Sequence, residues 1–534
     1  MEGLSRLSNE PSGAGTSRVT IVIPVYGDWD SLRDCVRSLI EYAPAETYDV
    51  LLVNDCGPEA DAIEAGIRGL IYGKPQFRYE RNPHNLGFGL TCNRAVFELD
   101  TSPNDIILLN SDTVVTAGAF DEMRAVLHSS PRNGTVCPRS NDATIATIPF
   151  HQRDSRGERD AARTDEVFAA VHALLPRFYI SPVSVGFCLL IRRTLINEFG
   201  LFDEVFGRGY NEENDFCLRI NEAGYSSLIA NHALVRHVGS TSFGSAQRTE
   251  LEAKNSRILH ERYPFYPRAV ANFIRHGYSA VDRFADLLVE DGNPRKPKVL
   301  IDLAGSKSIS GNPGEAEIVL SALRLVSSKA DLTVVPPLGA KMTTAPCGDP
   351  LRLIDREAID EVFDIAITTS PVTSLEQLLL LNRFALRWVT TSPVHKDLRS
   401  TRGQAQAPHT SLTYRLTLEF GDLLLLQDDS ALDDMEILFG LDLPQKALQR
   451  EALFRHGAVS EWERLLTEAS AAPVDVERLA RRDHLVRPLS LAADALTENL
   501  RETAHSLDEI QRSKTYALAR KVTSLSAPFR RRPR

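Results

Sequence analysis

From Val19 onward, short apolar runs alternate with amphipathic stretches, and this alternation restricts the possible folds more than any other feature of the chain. VTIVIPVY (19–26) reads as a buried strand, and 30–43 as a helix with Leu32, Val36 and Leu39 on one face. YDVLLVND (48–55), FRYERN (77–82) and DIILLNSD (105–112) read as further strands. Helical stretches at 59–70 and 88–99 separate them, and another begins at Ala117. Strands and helices alternating over short connections predict an α/β fold with a parallel sheet and right-handed crossovers. Near residue 130 the rhythm breaks into a loop-rich polar region. It resumes with a strand in VSVGFCLLIRR (183–193) and a helix starting near Asn211.

At 534 residues the chain exceeds one ordinary core, so several domains are expected. Residues 1–17 are polar and Gly/Ser-rich, which predicts a flexible leader without the apolar core of a signal peptide. A first domain spans 18–275, and 276–298, ending in the breaker-rich DGNPRKPK, reads as a linker. VLIDLAG, ADLTVVPP and FDIAITTSP then predict a smaller Rossmann-like α/β unit over 297–445. The remainder, 446–534, reads as helical and highly charged. It ends in RSKTYALARKVTSLSAPFRRRPR, with eight Lys/Arg and no acid. There Leu518, Val522, Leu525 and Phe529 fall at helical spacing opposite Lys514 and Lys521. That pattern suits peripheral membrane contact through 512–534, and an unstructured basic end fits the same residues.

Bulk properties exclude some classes. A composition of 43% hydrophobic and 25% charged residues is that of a globular protein. The net charge of −10 leaves no global basic field for nucleic acid. No apolar run approaches the roughly 18 to 20 residues of a membrane span. The seven cysteines are odd in number, scattered and never spaced as CxxC. They fit a reducing cytoplasm better than a disulfide framework or structural zinc. Neither GLIYGKP nor GSKSISGN matches the phosphate-binding P-loop pattern.

IILLNSDTVV (106–115) holds the sharpest local puzzle: a strand that looks fully buried runs into Asn110, Ser111 and Asp112. Open α/β sheets bind ligands beyond the carboxyl ends of their strands, although a capped turn would use the same three residues. Other polar segments would converge on that edge. They are VIPVYGD (22–28), VNDCGP (53–58), RNPHNLGFGLTCN (81–93), GRGYNEENDFCLR (207–219) and RHVGSTSFG (236–244).

In combination and in this order, IPVYG, VND, NLGFGLTCN, LLNSDT, GYNEENDFCLR and HVGSTSFG resemble glycosyltransferase family 2. The nearest branch resembles the rhamnosyltransferase-type enzymes of bacterial surface polysaccharide assembly, and the resemblance covers about 18–275. It implies a GT-A fold and roles for named residues. Asp55 would read the nucleotide base or ribose, with Pro24 and Tyr26 lining the base. Asn85, Gly87 and Asn93 would form the glycine turn and helix start that receive the diphosphate. Asn110 and Ser111 would stand beside the donor. Asp112 matches the last position of the family's DXD-type motif and His237 its second ligand, for Mn2+ or Mg2+, the imidazole favouring Mn2+. Plainer structural roles exist for the same residues: an Asx turn at Asp55, a glycine-containing helix start at 85–93, and a strand-end histidine at 237.

Family members commonly carry Glu-Asp where this chain has Glu212, Glu213, Asn214 and Asp215. Alignment puts Glu213 at the catalytic base, which extends the carboxylate by about 1.5 Å, one carbon–carbon bond. Glu212 and Asp215 are the competing bases, and helix-dipole stabilisation alone would also place acids in this first turn. Asn211 is the expected N-cap, and Phe216, Ile220 and Ala223 the expected inward stripe before Gly224.

The expected protein is thus an inverting, metal-dependent, cytoplasmic glycosyltransferase. It would move a sugar from a nucleoside-diphosphate sugar to a glycan or lipid-linked acceptor in cell-envelope polysaccharide synthesis. The alternative is a non-catalytic sugar-nucleotide or glycan-binding scaffold, suggested by the Glu-Glu pair and the incomplete second domain. A nucleotidyltransferase fits less well, because IPVYGDWD offers no cation to a triphosphate. The 297–445 unit faintly resembles the N-terminal half of a GT-B glycosyltransferase and reads as a docking or acceptor-side module.

Overall fold

The computed structural model describes residues 18–149, 160–239, 245–289, 295–303, 313–336, 350–359, 361–392, 408–426 and 445–512. The chain divides into two compact units, Met1–Gly292 and Asn293–Arg534.

The first unit opens as the apolar periodicity predicts. Strands β1 (Val19–Val25), β2 (Tyr48–Asn54) and β3 (Phe77–Arg81) alternate with helices α1 (Trp29–Tyr42) and α2 (Ala60–Leu70). Helix α3 (Phe88–Arg94) then leads to β4 (Asp105–Leu109). These four strands pair in parallel in the order β3-β2-β1-β4. In β1, β2 and β4 the Ile, Val and Leu side chains are buried on both faces, which is why they read as apolar runs.

The expected strand 105–112 breaks in two. β4 stops at Leu109, the chain turns through Asn110–Asp112, and β5 (Thr113–Val115) joins a different neighbour. Further along come α4 (Ala119–His128), β6 (Asn133–Arg139), α5 (Ala161–Val171), β7 (Phe178–Ser181) and β8 (Cys188–Ile191). α6 (Arg193–Phe199), α7 (Glu212–Glu222) and β9 (Ser226–His237) follow. The sheet departs from the all-parallel expectation at β8, which lies antiparallel to both β4 and β6. β8 is also shorter than the predicted 183–193, because Ser184 leaves the ladder and uses its hydroxyl to bond the backbone of Leu228. β5 pairs antiparallel with β9, Thr113 opposite His237.

Helices α8 (Ser245–Arg262) and α9 (Tyr266–His276) are followed by two short helices, Ala280–Arg283 and Ala285–Leu288. The expected linker from 276 therefore begins as part of the first unit. Tyr278, Val281 and Phe284 are buried, and the Asp282 carboxylate takes two bonds from the fully buried Arg139 at 2.7 and 2.9 Å.

The second unit is a seven-stranded sheet with every pair parallel. Its strands are β10 (Lys298–Asp302), β11 (Asp331–Val335), β12 (Arg352–Leu353), β13 (Phe363–Thr368), β14 (Ala385–Thr391), β15 (Leu423–Leu426) and β16 (Gln445–Gln449), in the order β12-β11-β10-β13-β14-β15-β16. Its helices are α12 (Pro313–Val326), α13 (Leu375–Phe384), α14 (Pro408–Phe420), α15 (Val459–Ala471) and α16 (Val476–Arg512). The unit runs past the expected boundary at 445, because Trp462, Leu465, Leu466 and Ala469 of α15 form a helically spaced stripe buried in its core. Among the described residues no helix is long and apolar enough to cross a membrane. The basic tail beyond Arg512 lies outside them.

Candidate active site

The change of sheet partner at Asn110–Asp112 holds Asp112 beside the end of β9. The Asp112 carbonyl accepts from Val238 N at 2.9 Å, and Asn110 N donates to Phe187 O at 2.9 Å. Asp112 is buried, and its Oδ1 stands 3.4 Å from Nε2 of His237. The ring is fixed from three sides. Its Nδ1 is 2.8 Å from the Asp142 carbonyl, Asn141 bonds both His237 N and His237 O, and Phe187 stacks on it at 5.3 Å. A carbonyl only accepts, so Nδ1 carries the proton and a neutral ring turns its Nε2 lone pair towards Asp112.

The turn after β2 is held by Asp55. Its Oδ1 accepts from Asn82 Nδ2 and Leu86 N, both at 2.7 Å, and its Oδ2 from Gly87 N at 2.8 Å. Asp55 thereby clamps the 82–87 loop, and its acceptor capacity goes largely to protein donors. Gly87 has φ +88, and a Cβ there would stand 2.9 Å from the Cα of Arg208. Glycine is needed on both counts, since the left-handed region and the close approach each exclude a side chain. The buried Oδ1 of Asn85 has no hydrogen-bond partner among the described residues. Asn93 differs from its expected role as a donor ligand. Its Nδ2 donates to Phe202 O at 2.9 Å and its Oδ1 accepts from Phe202 N at 3.1 Å, so the amide is a strut. Pro24 lies in β1 opposite Val53, and the exposed Tyr26 follows it, backed so closely by Gly57 that any Cβ there would overlap the Tyr26 carbonyl. Ser111 is half-buried in the turn before Asp112.

The three acids of α7 have separate surroundings. Asp215 is fully buried and bonded to Arg262 at 2.8 Å and Arg219 at 3.0 Å, beside an open cavity of about 600 Å3. Both carboxylate oxygens of Asp215 are thus engaged by guanidinium donors, which ties this side chain into the protein. Glu212 is buried with Oε2 unpartnered among the described residues. Burial, then the charge of Glu213, pushes its carboxyl well above the usual range. Burial also raises Glu213, while backbone donors at the helix start oppose the shift. Burial raises the Cys92 thiol as well, with the Glu212 and Asp55 carboxylates adding to it, so α3 links the Asp55 clamp to the start of α7.

The approach to α7 is strained. Tyr210 and Asn211 have φ of 71 and 76, values that L side chains rarely adopt. In that conformation Asn211 does not cap the helix. Its side chain bonds Asn214 and Ser256 instead. Asn255 of α8, fully buried, holds the loop by donating to the carbonyls of Phe206, Gly209 and Tyr210 at 2.7, 2.7 and 3.1 Å. Of the expected stripe, Phe216 and Ile220 are buried while Ala223 is exposed, because the helix ends there at Gly224.

Residues 20–200 match the family described as Glycosyl transferase family 2. The likeness to glycosyltransferase family 2 thus covers most of the first unit and none of the second. One relative is the N-acetylglucosaminyl-diphospho-decaprenol L-rhamnosyltransferase of Mycobacterium tuberculosis. It is 24% identical over 252 residues, covering 40% of this chain and 79% of the relative. Among solved structures, a mannosyltransferase from Pyrobaculum calidifontis in complex with GDP-Man and Mn2+ aligns with a TM-score of 0.36 and 14% identity, over 51% of this chain and 73% of its own. GalNAc-T7 with UDP, GalNAc and Mn2+ aligns with a TM-score of 0.34 and 15% identity, over 43% and 44%. Both units have the expected α/β fold, with a mixed sheet in the first and a parallel sheet in the second.

Whether the protein's own donor set suits a divalent ion can be judged from its geometry. Among the described residues no three His, Cys, Asp or Glu side chains gather as a metal cluster, so Asp112 and His237 form a pair. Their 3.4 Å separation is near the roughly 3 Å between adjacent ligands around a hexacoordinate ion with bonds of about 2.1 Å. One carboxylate oxygen and one oriented imidazole fit a cation that draws its other ligands from phosphate and water.

Sequence reasoning missed several supporting residues. Gly186 lies under Glu213, where a Cβ would stand 2.8 Å from the glutamate Cγ. Its neighbour Phe187 reaches both His237 and Asn110. The loop before β8 thus joins the carboxylates of α7 to the Asp112–His237 pair. VSVGFC carried one usable signal, a glycine and an aromatic at a strand's start. Asn141 and Asn255 carried none.

Proposed function

We propose that the first unit catalyses inverting, metal-dependent transfer of a sugar from a nucleoside-diphosphate donor to a hydroxyl of a glycan or lipid-linked acceptor in cell-envelope polysaccharide synthesis. The observation that carries this reading is the His237 ring, locked through Nδ1 so that Nε2 faces Asp112. Asp112 and His237 would hold the divalent ion, which when bound stabilises the charge developing on the departing diphosphate. The glycine turn at Gly87, with the exposed cation Arg208 packed on it, offers the diphosphate close backbone approach and positive charge. Tyr26 offers a ring to the base. Glu213, raised by burial, takes the acceptor's proton as the hydroxyl attacks the anomeric carbon from the face opposite the leaving group. The decaprenyl-linked substrate in the relative's name supports a lipid-linked acceptor here.

The test is a screen of sugar nucleotides for release of nucleoside diphosphate, with and without chelator. Turnover that chelator abolishes and added Mn2+ or Mg2+ restores is expected, with Asp112→Asn needing at least about tenfold more metal. Chelator-insensitive turnover sinks the metal assignment. Failure of every donor to bind moves the scaffold reading ahead.

A further inference from the structure

The second unit has its own point of divergence. From β10 the chain steps outward to β11 and β12, then returns to the other side of β10 and continues through β13 to β16. In an open parallel sheet, the crevice beyond the carboxyl ends of the two strands flanking such a reversal is where ligands bind. Those strands are β10 and β13, with Asp302 opposite Thr368 at their ends.

The residues gathered there are mainly hydrogen-bond donors. The Asp302 carboxylate is buried and already taken, by Arg356 at 2.9 Å and Gln377 at 2.8 Å. Thr369 bonds the Asp302 carbonyl, and Arg450 donates to the carbonyl of Thr369. Two guanidinium groups thus flank one neutralised carboxylate. Two buried donors remain without partners among the described residues: the hydroxyl of Ser370, 6% exposed, and Nε of Arg356. Ser370 stands in the short connection from β13 to α13, whose first turn is capped by Ser374. A buried donor left unmet in a native fold calls for a water, an ion or a ligand to meet it. Unmet donors beside a helix N-terminus together select acceptor-only, negatively charged oxygens.

We propose that the second unit binds a phosphate-bearing ligand at the divergence of β10 and β13, through Ser370, Arg356 and the N-terminus of α13. Its ligand is either a nucleotide or a lipid diphosphate, which share this chemistry.

Hydrogen exchange of the full chain tests it, with inorganic pyrophosphate, uridine diphosphate and farnesyl diphosphate as probes. At least one probe is expected to slow exchange in 350–359 and 363–377, in peptides resolved from 82–112 of the first unit. Arg356→Gln should weaken that binding by about tenfold, the scale of one charge-assisted hydrogen bond. Because that change also removes a cation bonded to Asp302, Ser370→Ala is the deciding variant. It removes a hydroxyl that has no partner among the described residues, so the fold stays while protection weakens several-fold. Tighter binding of the uridine or the farnesyl compound than of pyrophosphate identifies the source, and equal binding means the phosphates carry recognition alone. Unchanged exchange in 350–377 with all three probes, or protection indifferent to Ser370→Ala, overturns the proposal.

Discussion

The carboxylate of Asp55 accepts three hydrogen bonds from Asn82, Leu86 and Gly87, whereas Oε2 of the equally buried Glu212 accepts none among the described residues. The same contrast runs through their surroundings. Around Asp55, Asn82 bonds Thr91 and Arg94, and Asn93 spends its whole amide on Phe202. Around α7, burial raises both Glu212 and Glu213 and the backbone enters the helix through positive φ. The first region places its polar groups in protein hydrogen bonds and so holds a shape. The second leaves Oε2 of Glu212 unmatched among the described residues, which costs stability and keeps it available to a ligand. Substitutions in the first region should therefore be read mainly in stability, and those in the second mainly in turnover.

The largest separation is expected at Glu213. Glu213→Gln should lower kcat by about 10²–10⁴-fold, the usual contribution of a general base, with a melting temperature at neutral pH no lower than wild type. In the wild type, burial should shift the acidic limb of kcat/KM above the ordinary glutamate value of 4.5. A variant that turned over normally would reassign the base to Glu212, since Asp215 is held by Arg219 and Arg262.

Asn93 provides the opposite case. Asn93→Ala strands the N–H and carbonyl of buried Phe202, which should cost about 1–3 kcal/mol of stability. The donor KM should stay unchanged for the folded fraction. A raised KM with undiminished stability, measured by thermal melts beside the kinetics, would return Asn93 to the role of a donor ligand.

Much of the fold was legible because buried parallel strands are written as runs of Ile, Val and Leu, such as Val19–Val25 and Asp105–Leu109. The direction of β8 was not, since an apolar run reads alike whichever way its neighbour lies. Asp112 and His237, far apart in the chain, came together as the motif order implied. What motif order could not show is how a residue's polar atoms are employed. Asn93 and Asn85 belong to one signature, yet one amide is saturated by backbone and the other keeps an oxygen unmatched among the described residues. Asn255 was illegible for a related reason: it recognises three backbone carbonyls, which every residue possesses.

The smallest effect expected is the most direct measure of the unmatched region. Glu212 is raised above the 4.5 it has in an unfolded chain. Below that value both states carry the proton, and the folded state keeps the full benefit of a neutral buried side chain. As pH rises, the unfolded chain releases its proton first, so stability falls until the folded Glu212 also ionises. The slope reaches at most about 1.4 kcal/mol per pH unit for one group. Glu212→Gln has nearly the same shape and does not titrate, so its stability should decline less steeply over that window, with only Glu213 still contributing. Denaturant melts of the two proteins across the window give the difference. Parallel curves would mean that Glu212 ionises as readily folded as unfolded. The start of α7 would then be as well matched as the Asp55 clamp, and the contrast between the two regions would be lost.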